Sequence, residues 1–447
     1  MAAALLLLLS IPLLAATSSS SAAGDAMPAA EHRALTDILT SLLADQSWAE
    51  LHPLPCSETP WPGVQCDTVN TDFLHVVSIH IGPDVISSPP CKSSAFLPPA
   101  ALLHLPFLKS LSLFSCFLTP NSASLPPSIF TDLSSLQHLV LNSNPGLSGE
   151  IPSSVSTLQS LTVLSLSQNG FRGGIPPEIG RLTGLRQLDL SYNHLAGDIP
   201  EEISGLSSLA ILDLSSNELE GNLPSSIGIL QSLQKIDISF NSLAGRVPPA
   251  FGELKRLVLL DLSHNNLTGP FAGKPLRLEG IGLTVIGLSR CELFGPIPSS
   301  FGSLISLTAL SLDRNRLNGS VPASLGSLPE LGQLNLSQNQ LAGEILFSVE
   351  FVKRLGKRLD LRGNRDLCAR ENKYEEGSFR LEAPACLCSS SAGNGGNRAE
   401  RGEEEDGDVR ISPALDGGDQ TGNCHFGPVN ARHMCFLGFA ILVALLA

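Results

Sequence analysis

The chain has 447 residues, a formal net charge of −14 at pH 7, and 16% charged against 43% hydrophobic residues. This apolar content is enough to bury a core and excludes disorder over the whole length. The negative charge argues against nucleic acid as a partner, since phosphates require a basic protein face.

The first 23 residues predict a signal peptide. Ala2 to Ala16 is almost wholly apolar, with unbroken Leu from Leu5 to Leu9, and small residues follow through Ala23. An apolar core followed by small residues is typical of a secretory signal, and about 15 apolar residues are too few to span a bilayer. We therefore expect secretion, although no Lys or Arg precedes the core.

Residues 24–91 predict an N-terminal cap. Leu and Ile recur at helical spacing over residues 31–45, and a Pro-rich loop follows that Cys56 and Cys66 close. His75 to Ile81 alternates apolar and polar residues, which predicts the first strand of a sheet.

Residues 92–365 repeat one phrase in about eleven turns. It reads Leu-x-x-Leu-x-Leu-x-x-Asn-x-Leu-x-Gly-x-Ile-Pro, with a period of 24 residues and a few repeats of 25 or 26. A fixed period of this length predicts a leucine-rich-repeat solenoid, an α/β fold with a parallel sheet on its concave face. An irregular first turn has Cys116 at the Asn position, here called the slot. We number the regular turns 1 to 10 by their slots, which are Asn144, Asn169, Asn193, Asn217, Asn241, Asn265, Cys291, Asn315, Asn339 and Asn364.

Each position of the phrase has its own physical role. The segment x-Leu-x-Leu-x predicts a short strand with Leu inward and the other residues toward solvent. The slot Asn is expected to bond the backbone of its own and the adjacent turn, where backbone groups are otherwise unpaired. The array offers a long concave surface rather than a reaction pocket. The spacing of 26 between Asn265 and Cys291, with Gly269 to Lys274 replacing Gly-x-Ile-Pro, predicts either an ordinary loop or a change in curvature.

The ten cysteines lie mostly at the two ends of the repeats, and in a secreted chain they predict disulfides. A solenoid exposes apolar faces at both ends, where disulfides in short caps supply stability. Cys291 stands at a slot, so we expect a buried, inert thiol. The pairing of Cys388 and Cys424 stays open. The expected disulfide cysteines are Cys56, Cys66, Cys91, Cys116, Cys368 and Cys386.

Three segments follow the repeats. Residues 366–388 predict a C-terminal cap, and the acidic, Gly- and Ser-rich residues 389–422 predict a disordered linker. Residues 423–447 end in an apolar run from Met434 to Ala447, whose helix would cover about 21 Å of a hydrocarbon core of about 30 Å. This pattern favours a glycosylphosphatidylinositol attachment signal that is removed when the lipid is added. A short tail anchor, or a merely hydrophobic end, is the alternative.

Two columns on the concave face are candidates for partner contacts. The middle strand position holds Asp189, Asp213, Asp237 and Asp261, then Gly287, Ser311 and Asn335. The aspartates predict either a solvated face or an acidic strip that receives a basic peptide or partner loop. The position before the slot is more varied, and exposed aromatic and Arg residues are enriched in interfaces. Its candidates are Tyr192, Phe240, His264, Arg290 and Arg314.

Three sequons predict N-glycosylation, at Asn266, Asn318 and Asn335. A glycan on Asn335 would direct partners toward earlier turns. The ten His residues form no metal-ligand spacing with Cys, Asp or Glu, and the glycines follow the repeat instead of a phosphate loop. We therefore predict no enzyme activity, no cofactor and no metal.

The repeats resemble the plant extracellular class of leucine-rich repeats, in which Leu-x-Gly-x-Ile-Pro is diagnostic and stands here as LSGEIP, LAGDIP and LNGSVP. Trp48 with the Cys56 to Cys66 loop resembles the N-terminal cap of that class, and Gly363 to Cys368 its C-terminal cap. Within the class, residues about 31 to 388 are similar to the receptor-like proteins.

The resemblance implies a plant-type curved superhelix, disulfide-capped at both ends, and a role in cell-surface signalling. A kinase-less receptor-like protein would bind a peptide or protein on its concave face and act with a receptor kinase in growth, development or response to microbes. Its place would be the outer face of the plasma membrane, held by the lipid. The alternative is a secreted inhibitor of microbial cell-wall hydrolases, similar to polygalacturonase-inhibiting proteins.

Overall fold

The computed structural model describes residues 27–45, 47–69, 71–85, 89–119, 123–130, 133–270 and 282–370. The predicted signal peptide, linker and lipid-attachment signal lie outside these residues, as do Cys386, Cys388 and Cys424. In the described ranges, no helix is long and apolar enough to cross a membrane. The predicted segment boundaries stay predictions.

A 13-stranded sheet lines the concave face of the described repeats, and all of its pairings are parallel except the first. Each turn adds one strand of two to four residues, because the alternating phrase continues only that far before the slot. The predicted first strand, His75–Ile81, is confirmed, and an antiparallel strand, Val64–Asp67, covers its outer edge. The remaining strands are Ser110–Leu113, His138–Val140, Val163–Ser165, Gln187–Asp189, Ile211–Asp213, Lys235–Asp237, Leu259–Asp261, Val285–Gly287, Ala309–Ser311, Gln333–Asn335 and Leu359–Asp360.

Two smaller parallel sheets and a row of short helices complete the turns. The strands after the slot are Asn144–Gly149, Asn169–Gly173, His194–Asp198 and Glu218–Glu220 in one sheet, and Thr268–Pro270, Glu292–Pro296, Arg316–Gly319, Gln340–Glu344 and Asp366–Cys368 in the other. The 3₁₀ helices are Pro127–Phe130, Ser153–Thr157, Pro177–Arg181, Glu201–Gly205, Ser225–Ile229, Pro249–Glu253, Ser299–Ser303, Ala323–Ser327 and Gly356–Arg358. Each of these that follows an Ile-Pro type sequence begins beside the proline, whose fixed φ suits a helix start.

The slot residue joins consecutive turns. Asn193 Nδ2 donates to Leu166 O of the preceding turn at 2.8 Å and to Leu190 O of its own turn at 3.0 Å. Its Oδ1 accepts from Phe171 N at 3.1 Å. The expected role of the slot Asn is confirmed, and the leucines around it are fully buried.

The N-terminal cap seals the first strand. The α-helices are Ala29–Leu42, Trp48–Leu51, Pro99–Leu102 and Val349–Leu355. Glu31 reaches from the first helix to His75, with 2.5 Å between Oε1 and Nδ1, and also accepts from Val76 N at 3.1 Å. The disulfides Cys56–Cys66 and Cys91–Cys116 fix the cap loops, and Cys368 at the other end is also disulfide-bonded.

Candidate functional site on the concave face

The four aspartates lie side by side across adjacent strands. Parallel pairing places Asp189 opposite Asp213, Asp213 opposite Asp237, and Asp237 opposite Asp261. Neighbouring strands are about 4.8 Å apart, so four carboxylates follow one line across turns 3 to 6. We call these four residues the acidic column.

Each aspartate also closes its own turn. Asp213 Oδ1 accepts hydrogen bonds from Ser215 N at 3.2 Å and from Ser215 Oγ at 2.7 Å. Asp189 and Asp237 bond the serine two residues later in the same way. Asn335 in turn 9 accepts the same pair of bonds, at 3.1 Å and 2.8 Å. A neutral amide therefore makes these bonds in turn 9, so the turn-closing hydrogen bonds do not require a negative charge.

The middle of the acidic column is only partly exposed to solvent. The side chains of Asp213 and Asp237 are only 15% and 21% exposed. Lys235 lies between them, with Nζ 2.7 Å from Asp213 Oδ2 and 3.7 Å from Asp237 Oδ2. Charges interact more strongly here than in water because the effective dielectric constant falls with burial. These two residues are therefore only partly solvated, and the choice between a bland face and a strip that receives a basic partner stays a prediction.

Burial raises the pKa of Asp237 to about 7, with repulsion from Asp213 and Asp261 adding to the effect and Lys235 opposing it. Burial also raises the pKa of Asp189, and the charge of Asp213 contributes. Burial lowers the pKa of Lys235, but the carboxylates of Asp213 and Asp237 outweigh it and leave the pKa raised. A carboxyl pKa that is raised by folding means that its ionised form costs stability.

The position before the slot, which we call the rim column, has a left-handed backbone. In turns 2 to 9 its φ values lie between +52° and +59° although no residue there is glycine. This conformation costs an L-residue roughly 1–2 kcal/mol. Gly363 occupies the same position in turn 10, so glycine fits it. The same backbone conformation recurs at Ser143 in turn 1, so it belongs to the repeat and holds each rim side chain in the same direction.

Two aromatic residues of the rim column face solvent. Tyr192 and Phe240 are 54% and 44% exposed. Phe240 stacks on His264 of the next turn, with ring centroids 3.9 Å apart and planes 16° apart. Burial lowers the pKa of His264, although Asp261 and Asp313 act in the opposite direction.

The face changes character at turn 7. Gly287 replaces the aspartate, and a Cβ there would lie 2.5 Å from Asp261 Oδ1, so the glycine leaves room for that carboxylate. Arg290 and Arg314 follow as exposed residues of the rim column. The structure thus brings an acidic and aromatic stretch next to a basic one.

Sequence reasoning missed Lys235, and it placed Ser216 in the varied position before the slot without selecting it as a contact candidate. Lys235 stands two positions before Asp237, so period-two alternation places both on the solvent side of the strand. Ser216 is the small rim residue between Tyr192 and Phe240 along the solenoid. Its small side chain indicates a gap between two rings only once Tyr192 and Phe240 are known to be exposed.

The three sequons differ in accessibility. Asn266 and Asn318 are exposed, and both follow the slot of their turns. Asn335 is half-buried on the concave face, where its Oδ1 accepts the bonds from Ser337 described above. Modification of all three stays a prediction.

Cys291 is buried, as expected. Its Sγ donates to Leu262 O at 3.5 Å, and burial raises the pKa of the thiol to about 12. The thiol is therefore protonated at neutral pH and unreactive. Within the described ranges, no group of three or more His, Cys, Asp or Glu side chains could hold a metal ion.

Comparison with known proteins agrees with this architecture. Residues 173–219 and 281–341 match the family model described as Leucine rich repeat, and residues 160–182 and 232–254 match a second such model. Receptor like protein 29 of Arabidopsis thaliana is 42% identical over 146 residues, 32% of this chain and 31% of that protein. Piriformospora indica-insensitive protein 2 of the same plant is 37% identical over 146 residues, 32% of this chain and 34% of that protein. The chain thus spans about a third of the length of these relatives.

Solved structures share the solenoid. The plant peptide hormone receptor RGFR1 in complex with RGF2 is 32% identical, covers 61% of this chain and 42% of its own, and has a TM-score of 0.54. The Arabidopsis receptor kinase HAESA, in complex with the peptide hormone IDA and the co-receptor SERK1, is 26% identical with a TM-score of 0.53, over 76% of this chain and 62% of its own. A plant ice-binding protein is 26% identical with a TM-score of 0.56, over 81% of this chain and 99% of its own.

Fold and comparisons together define the class: a leucine-rich-repeat solenoid of the type found in plant receptor ectodomains. The predicted resemblance to plant leucine-rich-repeat receptor-like proteins is confirmed by the two Arabidopsis relatives.

Proposed function

We propose that this chain is a kinase-less, cell-surface receptor-like protein that binds a peptide or protein partner on its concave face. It acts with a receptor kinase in plant growth, development or response to microbes, and a lipid anchor holds it at the outer face of the plasma membrane. Receptors of similar fold, RGFR1 and HAESA, have been solved with peptide hormones bound. That similarity supports binding as the activity and leaves the partner to be identified.

The acidic column carries this proposal. Asn335 makes the same turn-closing bonds as Asp189, Asp213 and Asp237, so these bonds do not require a charge. Burial and repulsion raise the pKa of Asp189 and Asp237, so the ionised forms of these two residues cost stability. A charge that costs stability where a neutral amide makes the same hydrogen bonds is typical of residues retained for binding, where strain and charge are tolerated at the site.

Cross-linking pull-down of the tagged full chain from its own tissue tests the proposal. We expect it to recover a membrane protein with a kinase domain, and phosphatidylinositol-specific phospholipase C to release the chain from membranes. Recovery of a microbial wall hydrolase that the purified chain inhibits would overturn the proposal in favour of the secreted inhibitor.

A further inference from the structure

The rim column has a one-turn gap at turn 4. Ser216 carries the smallest side chain between Tyr192 in turn 3 and Phe240 in turn 5, and all three share the left-handed backbone, with φ of 55°, 54° and 54°. Because adjacent strands are about 4.8 Å apart, the two aromatic residues start from positions about 10 Å apart. Backbone positions at that separation, with only a serine between them, leave room for one flat group.

One face of Phe240 is already covered. His264, on the turn 6 side, stacks on it at 3.9 Å. The opposite face points toward turn 4, where Ser216 is too short to cover a ring. This explains how Phe240 remains 44% exposed despite the stack, and Tyr192 borders the gap from the other side at 54% exposure.

The strands beneath this gap are acidic. Turns 3, 4 and 5 contribute Asp189, Asp213 and Asp237, and Lys235 offsets part of their charge through Asp213 and Asp237. Three carboxylates against one ammonium give a formal charge of −2 when all are ionised, and a bound cation would favour the ionised forms of Asp189 and Asp237. A cation between the rings would therefore be attracted both by the ring faces and by the carboxylates.

We propose that the gap over Ser216, between Tyr192 and Phe240, is a binding site for an arginine side chain of the partner. The proposal rests on the proposed function and names what its concave site recognises. A guanidinium is planar, stacks on aromatic faces and pairs with carboxylates, whereas an ammonium lacks the planar stacking surface. A neutral aromatic side chain would fit the rings but would gain nothing from the carboxylates.

The probe is the synthetic peptide acetyl-Gly-Gly-Arg-Gly-Gly-amide, titrated calorimetrically into the full chain. Its Lys counterpart and its citrulline counterpart, which is planar and neutral, are the matched ligands. We expect the citrulline peptide to bind at least tenfold more weakly than the Arg peptide and the Lys peptide at least threefold more weakly. Equal binding of the Arg and citrulline peptides would overturn the proposal.

A protein variant tests the same gap from the other side. Ser216→Trp should fill the gap and weaken the binding of the Arg peptide at least tenfold. Ser143→Trp is the control, since Ser143 holds the same rim position in turn 1 with φ of 58° but has no acidic column beneath it. Thermal unfolding of both variants establishes that they are folded. If Ser216→Trp binds the Arg peptide as tightly as Ser143→Trp does, the site is not where we place it.

Failure here is distinguishable from failure of the proposed function. If the natural partner is recovered by pull-down and neither Ser216→Trp nor excess Arg peptide reduces that recovery, the receptor role stands and the arginine site is wrong. If the Arg peptide binds as predicted but no kinase-bearing partner is recovered, the site stands and the proposed function fails.

Discussion

Turns 3 to 6 place Asp189, Asp213, Asp237 and Asp261 at the middle of their concave strands, whereas turns 7 to 9 place Gly287, Ser311 and Asn335 there. The two regions have the same strands and parallel register. In turn 9 an amide even makes the same hydrogen bonds as the carboxylates. The solenoid therefore specifies the geometry of this position, whereas the charge at this position differs between the two regions.

We expect the largest effect on partner binding when the charge is reversed at both ends of the acidic column. The double variant Asp189→Lys and Asp261→Lys should reduce partner pull-down at least a hundredfold, because repulsion replaces attraction for a basic ligand. Asn335→Lys, a matched change in the second region, should reduce it less than threefold. Equal losses in the two variants would mean that the regions do not differ in binding.

The rim column offers a second, smaller effect. Phe240→Ala together with Arg290→Ala removes an exposed ring and an exposed guanidinium on either side of the boundary, and should weaken partner binding tenfold or more. Gln338→Ala, at the same position in turn 9, should change it less than twofold. Titration of the identified partner checks both, and an unchanged affinity for the double variant would exclude the rim column.

The buried charge predicts a pH effect on stability. Folding raises the pKa of Asp237 from its ordinary value of 3.8 to about 7, so the folded state keeps the proton to higher pH than the unfolded state does. Stability associated with this group is therefore full below about pH 4 and is lost as the pH rises toward and through 7. Asp237→Asn removes this pH-dependent loss of stability. The asparagine should keep the turn-closing hydrogen bonds, as Asn335 does in turn 9.

Relative to Asp237→Asn, we expect the wild type to lose on the order of 2 kcal/mol of unfolding free energy between pH 5 and pH 8. Denaturant unfolding at both pH values measures this. A difference between the two proteins that does not change with pH would contradict the buried-charge account.

The smallest expected effect concerns the boundary itself. Cys291 occupies the slot of turn 7, where a thiol makes only long contacts in place of the amide's bonds to both turns. Cys291→Asn should raise the unfolding free energy by about 1 kcal/mol, the worth of a typical hydrogen bond. Cys291→Ser, with a short hydroxyl, is the control and should not. A loss of stability in the Asn variant would show that the longer repeat is built around the smaller side chain.

Sequence accounts for much of this molecule. The period predicts the solenoid, the alternation predicts the strands, and the slot pattern predicts the bonds of residues such as Asn193. The burial and pKa of the acidic column could not be predicted from the sequence. The burial of Asp237 depends on the neighbouring strands and on Lys235, which lies on the same strand. The left-handed backbone of Tyr192 and Phe240 could not be predicted from the sequence either, since neither residue type favours positive φ.

We propose that the charge of the acidic column serves binding and not folding. The most direct test replaces all four aspartates by asparagine and Lys235 by glutamine, the residue type at its position in turn 9, so that no half-buried ammonium is left unpaired. Unfolding free energy and partner affinity are measured on the same preparation. We predict equal or greater stability at pH 7 with a loss of affinity of at least a hundredfold. A variant that unfolds more easily, or one that binds the partner as the wild type does, would contradict the claim.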